Sequence, residues 1–100
     1  MTMNIQKMMQ QAQAMQSKVQ AELEVLRIEA SSGGGMVSIE MSGTKEIVSV
    51  KIDPACVDKE DVETLQDLVL AAAREASRRV DEAVQKKTSN LLGGMMPGLR

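Results

Sequence analysis

The sequence has no Phe, Tyr, Trp or His, a single Cys, and two Pro among its 100 residues. Aromatic side chains bury about 150–250 Å² each; without them the core falls to Leu, Val, Ile, Ala and nine Met. A chain of this length buries only roughly 60–70% of its unfolded surface, so the isolated subunit is expected to be marginal and to gain by pairing with a second copy. The lack of His excludes Ser-His-Asp and Cys-His arrangements and His-ligated metals. Glu60, Asp61 and Glu63 form an ordinary acidic helix start rather than a catalytic pair. The expectation is a protein that is not an enzyme and carries no cofactor. The lone Cys56 excludes an intrachain disulfide framework and fits a reducing compartment. It reads as an incidental thiol. No apolar run approaches the roughly 20 residues that span a bilayer, and the opening MTMNIQKMMQQ is too polar for a signal peptide. The expected location is the cytoplasm.

What is present is strongly periodic. Ile5, Met8, Ala12, Met15, Val19, Leu23 and Leu26 recur at three- and four-residue steps, predicting a helix over about residues 4–25, capped by Asn4 or Thr2. Ile5, Ala12, Val19 and Leu26 lie seven apart, suiting shallow packing along a second helix. Met8, Met9 and Met15 are read as core or dimer contacts. The polar face is glutamine (Gln6, Gln10, Gln11, Gln13, Gln16 and Gln20), and no acidic residue precedes Glu22. Period two then takes over. Leu26, Ile28 and Ala30 alternate with polar residues, as do Val37, Ile39 and Met41, and then Val48, Val50 and Ile52. Gly33-Gly34-Gly35 lacks the Lys-Ser/Thr of a phosphate loop and reads as a hairpin turn; Ser42-Gly43-Thr44 reads as a second. Three strands over about residues 26–52 should form an antiparallel meander, with each strand's apolar residues inward.

Asp53-Pro54 ends the third strand. A second helix is predicted over about residues 59–90, with Asp58 as N-cap and Glu60 and Asp61 complementing its dipole. Its inward residues are Val62, Leu65, Leu68, Val69, Ala72, Ala76, Val80 and Ala83, and Asn90 or Gly93-Gly94 ends it. The chain is thus a single α+β domain over residues 1–92, ordered helix, three-stranded antiparallel sheet, helix. Residues 93–100 form an aperiodic, flexible tail that includes Met95 and Met96.

Charge is unevenly placed. Residues 1–70 hold six basic and eleven acidic side chains, a balance of −5; residues 71–100 hold six and three, a balance of +3. Antiparallel packing of the helices would set the start of the first beside the end of the second, gathering the acid-poor segments away from the sheet. On a helical wheel Arg74 and Arg78 fall opposite the apolar stripe. Arg79 and Lys86 flank it at i+4 from Glu75 and Glu82, a favourable ion-pair orientation, and Lys87 falls on the stripe itself. Arg78 has Glu82 as a further partner, in the less favourable order. Arg74 has no partner at i−3 or i−4 and repels Arg78. Exposed like charges at that spacing suit an anionic partner.

Taken together, these residues carry a resemblance. MMQQAQAMQSKVQ (Met8 to Gln20), the Gly33–Gly35 turn, the I-D-P of Ile52 to Pro54, the DLVxAAxxxAxRR pattern of Asp67 to Arg79 and the GGM-x-PG of Gly93 to Gly98 follow one another in order. The chain resembles the YbaB/EbfC family of bacterial nucleoid-associated proteins along essentially its whole length. The resemblance implies a homodimer in the cytoplasm and nucleoid, with the sheets of two subunits associated and helices projecting as arms that contact duplex DNA. Arg74, Arg78 and Arg79 match the basic part of the family's second helix, and Lys7 and Lys18 lie in its first; Lys86 completes the candidate DNA-binding set. Contacts from such residues go mainly to phosphates. Without aromatics to stack on bases, duplex is favoured over single strands. The alternative reading is a prefoldin-like chaperone or protein-interaction module. Basic rather than apolar tips, and helices this short, fit that poorly.

Overall fold

Period-four positions on one helix meet period-two positions on two strands, and that meeting is the core. The computed structural model describes residues 4–95. Helix α1 spans Ile5–Val25, strands β1, β2 and β3 span Arg27–Ser32, Val37–Ser42 and Ile47–Ile52, and helix α2 spans Val62–Met95. The strands form an antiparallel meander in the order β1-β2-β3, as the short links require. Ala30 pairs with Ile39 and Ile39 with Val50, which places all three on one face. Ala72, Ala76 and Val80 of α2 are fully buried against Ala30, Val37, Ile39 and Met41. Two alanines at that contact let the helix approach the sheet closely.

The turns are set by glycine. Gly33, Gly34 and Gly35 all take positive φ (60°, 68° and 94°), joining β1 to β2. Any side chain at Gly33 would also meet Leu68 Cδ2 at 2.8 Å. Gly43, after β2, donates its N–H to Leu23 O at 2.9 Å. A Cβ there would stand 2.7 Å from that same oxygen, so the end of α1 docks where Gly43 has no side chain. Asn4 caps α1 by accepting from the Lys7 N–H at 3.1 Å, whereas Thr2 lies outside the described residues.

Several expectations are corrected. Asp61, not Asp58, caps α2, accepting from the Thr64 N–H at 3.3 Å and the Thr64 hydroxyl at 2.6 Å. Asp58 instead holds the preceding turn through the Glu60 N–H. At the other end α2 continues through Asn90, Gly93 and Gly94 to Met95; the remainder of the expected tail lies outside the described residues. Strand β3 carries its apolar residues on the expected face, but α2 lies over β1 and β2, so Val48, Val50 and Ile52 remain 40–47% exposed. Val62, expected inward, is also exposed. No residue of α1 is buried. Its seven-residue seam is only partly covered within the subunit, at Val19 and Leu26, and Met8, Met9 and Met15 are not core. The last turn of α1, rather than its start, reaches α2, with Lys87 Nζ 3.8 Å from Glu22 Oε2. The result is elongated, 74 × 26 × 16 Å with a radius of gyration of 19.6 Å, against about 13 Å for a compact chain of this size.

Candidate nucleic-acid interface

Helix α2 runs antiparallel to β1. Leu68 O accepts from the Ser32 hydroxyl at one end of the strand, and Asp81 pairs with Lys45 of the β2–β3 turn, at 2.7 Å, at the other. Beyond Asp81 the helix passes the edge of the sheet from which α1 also departs, where Lys87 meets Glu22. The acid-free part of α1 and the end of α2 therefore leave the body at the same end, whereas Arg74, Arg78 and Arg79, expected away from the sheet, lie on the stretch of α2 packed against it. At about 1.5 Å per residue α1 is about 31 Å long and α2 about 51 Å.

The candidate cations divide into paired and unpaired. Arg78 is held on both sides: its Nε donates to Glu75 Oε2 at 3.1 Å, its Nη2 to Glu75 Oε1 and its Nη1 to Glu82. Arg79 Nε donates to Glu75 Oε1 at 3.1 Å, and its Nη1 reaches the Glu29 carbonyl on β1 at 3.2 Å. These hydrogen bonds, Arg78's first and Arg79's second, pull the Glu75 carboxyl down to about 2, and Glu75 in turn raises the pKa of Arg78. The Glu75–Arg79 pair foreseen from spacing is present. The Glu82–Lys86 pair is replaced, because Glu82 turns to Arg78. Lys86 instead lines a shallow cleft with Gln85, Ser89 and Asn90. Arg74, Lys86, Lys7 and Lys18 are exposed and take part in none of the ion pairs found among the described residues.

Spacing alone missed four features. The second partner of Arg78, Glu75 at i−3, is visible in the sequence at a permitted helix spacing. The Lys45–Asp81 pair and the reach of Arg79 to β1 join distant segments and have no local signal. Lys87, placed on the apolar stripe by the wheel, is half-buried beside Glu22.

A second surface lies beside the sheet. Ile52, Leu65, Val69, Leu70 and Ala73, with Gln66, line an almost wholly apolar groove between α2 and β3. Ile47, Val48 and Val50 of β3, together with Val57 and Val62, are all at least 45% exposed. Apolar exposure on this scale along a sheet edge marks an interaction surface.

A half-covered sheet with an open apolar edge, and two helices that pass beyond it at one end, define a small α+β subunit. The chain belongs to the YbaB/EbfC DNA-binding family, which it matches over residues 1–95. It is 49% identical over 100 residues to a nucleoid-associated protein of Alkaliphilus metalliredigens, covering 96% of this chain and 88% of that one. With a nucleoid-associated protein of Koribacter versatilis it shares 47% identity over 96 residues, 95% of each chain. The fold is also that of the crystal structure of an uncharacterized protein, HP0035, from Helicobacter pylori. That likeness has a TM-score of 0.76 at 26% identity and covers 89% of this chain and 94% of the other. Among the described residues no helix is long and apolar enough to cross a membrane.

Proposed function

We propose that this protein binds duplex DNA as a homodimer in the bacterial cytoplasm, associated with the nucleoid. Phosphate contacts from the projecting helices supply most of the affinity. The observation that carries this reading is the shared exit of the acid-free part of α1 and the end of α2 from one end of the sheet, within a chain of the YbaB/EbfC DNA-binding family. Arg74, Lys86, Lys7 and Lys18 meet phosphates directly. Arg78 and Arg79 do so by exchanging the carboxylates of Glu75 and Glu82 for phosphate oxygens. Such contacts release counterions and carry little sequence information.

The dimer is held through the groove between α2 and β3. There Ile52 lies beside Leu65, Val69 and Leu70, with Val50 exposed on the same face of β3, and a second copy buries what α2 leaves open. Reversing Arg74 and Arg78 to Glu is expected to abolish retardation of duplex DNA in a gel while the mass in solution stays that of a dimer. Unchanged retardation removes the assignment of those residues, and a monomeric mass for the unmodified protein removes the dimer. A protein that retards no DNA at low salt yet keeps an unfolded client from aggregating is instead the prefoldin-like alternative.

A further inference from the structure

Helix α1 has a face that phosphate contacts do not use. At about 100° per residue, Gln6, Gln10, Gln13 and Gln20 fall within about 40° of one line along the helix, with Gln16 at its margin. All are exposed, and the helix buries no residue of its own. From Asn4 to Ala21 there is no carboxylate, whereas Lys7 and Lys18 lie about 16 Å apart along a neighbouring face. Glu24 closes the line at the body end, 3.4 Å from Gln20 Nε2.

A carboxamide carries both a donor and an acceptor. Against phosphate oxygens, which only accept, half of that capacity is idle. Base edges in the major groove offer both, and Gln pairs bidentately with adenine N6 and N7 there. A major groove about 12 Å wide admits a helix, and the charge of this stretch, two lysines with no carboxylate, suits entry between phosphate walls. We infer that the Gln6–Gln13–Gln20 face of α1 lies in the major groove of duplex DNA and hydrogen-bonds to base edges, with Lys7 and Lys18 on the adjoining phosphates. The inference rests on the duplex-DNA reading above. It adds a contact that is not counterion-linked and that favours adenine-containing steps.

The test uses the full chain, a mixed-sequence duplex, and the same duplex with 7-deazaadenine in place of adenine, which lacks the N7 acceptor but keeps every phosphate. The unmodified protein is expected to bind the 7-deaza duplex several-fold more weakly. The triple variant Q6A/Q13A/Q20A should bind the ordinary duplex about tenfold more weakly, keep the wild-type dependence on salt, and no longer distinguish the two duplexes. Ala is a better helix former than Gln, and circular dichroism confirms that α1 persists in the variant. Lys7→Gln gives the contrasting signature, a shallower salt dependence. A triple variant that binds both duplexes as the wild type does overturns the inference and leaves the duplex reading standing. So does a wild type indifferent to 7-deazaadenine. A wild type that binds neither duplex overturns both.

Discussion

Arg74 and Arg78 sit one turn apart on the same helix, and the structure separates them sharply. Arg74 has no ion-pair partner among the described residues; Arg78 is shared between Glu75 and Glu82. Replacing each in turn by Gln therefore reads out the ion pairing through DNA affinity. A phosphate contact made by an unpaired cation contributes about −0.9 to the slope of log K against log salt. Losing Arg74 from one engaged subunit should flatten the slope by that amount. Over a fourfold rise in salt, the wild-type advantage over Arg74→Gln should shrink about 3.5-fold, because the wild type alone loses that contact to salt. Arg78 differs, since any phosphate that reaches it must first displace a carboxylate, and the freed Glu75 or Glu82 then attracts a counterion of its own. Arg78→Gln is expected to change the slope clearly less than Arg74→Gln does. Fluorescence anisotropy with a labelled duplex at four or five salt concentrations gives both slopes. An Arg78→Gln slope change equal to or larger than that of Arg74→Gln refutes the division into paired and unpaired cations.

Other outcomes follow from the same geometry. The Glu75 carboxyl, depressed by Arg78 and Arg79, should titrate near 2 by carbon-13 NMR and move back up in Arg78→Gln; a wild-type midpoint above 4 would show that the cluster does not form in solution. The sign is that of a depressed acid: its contribution is present above the ordinary Glu range and is lost as pH falls through about 2. Ile39→Ala empties a fully buried site under α2 and should destabilise the protein by about 2–5 kcal/mol in urea unfolding; a loss below 1 kcal/mol contradicts the assigned core. Gly43→Ala sets a Cβ against the Leu23 carbonyl and should cost about 1–3 kcal/mol, with faster hydrogen exchange at the end of α1; unchanged exchange there counts against the docking of that helix. Val50→Asp on the open face of β3 should give a folded subunit of monomeric mass, and a persistent dimer would place the interface elsewhere.

Element order, strand pairing and the α2 stripe were all legible, because each follows from a local period: Ala72, Ala76 and Val80 on one side, Val37, Ile39 and Met41 on the other. Boundaries were less so. Asp58 and Asp61 are equally good caps by residue type, and the choice fell to Asp61, whose carboxylate reaches Thr64. Gly93-Gly94 reads as a stop, yet glycine only weakens a helix. Burial of Val48 and Val50 would need a helix over all three strands; α2 covers two, and no period records which strand is left over. The candidate cations were all legible as residues, but their pairing only in part: Glu75–Arg79 and Arg78–Glu82 follow from spacing, while Arg78–Glu75 was missed and Glu82–Lys86 does not form. Glu82 had Arg78 and Lys86 at equal distance along the helix and took Arg78, while Arg79 was drawn toward a carbonyl fifty residues earlier in the chain.

The central claim, duplex DNA held mainly through phosphates, is tested most directly by gel retardation of two unrelated duplexes at a low and a fourfold higher salt concentration. Both duplexes should be retarded at low salt with affinities within about tenfold of one another, and both should weaken steeply at the higher salt. No retardation of either duplex at low salt contradicts the account.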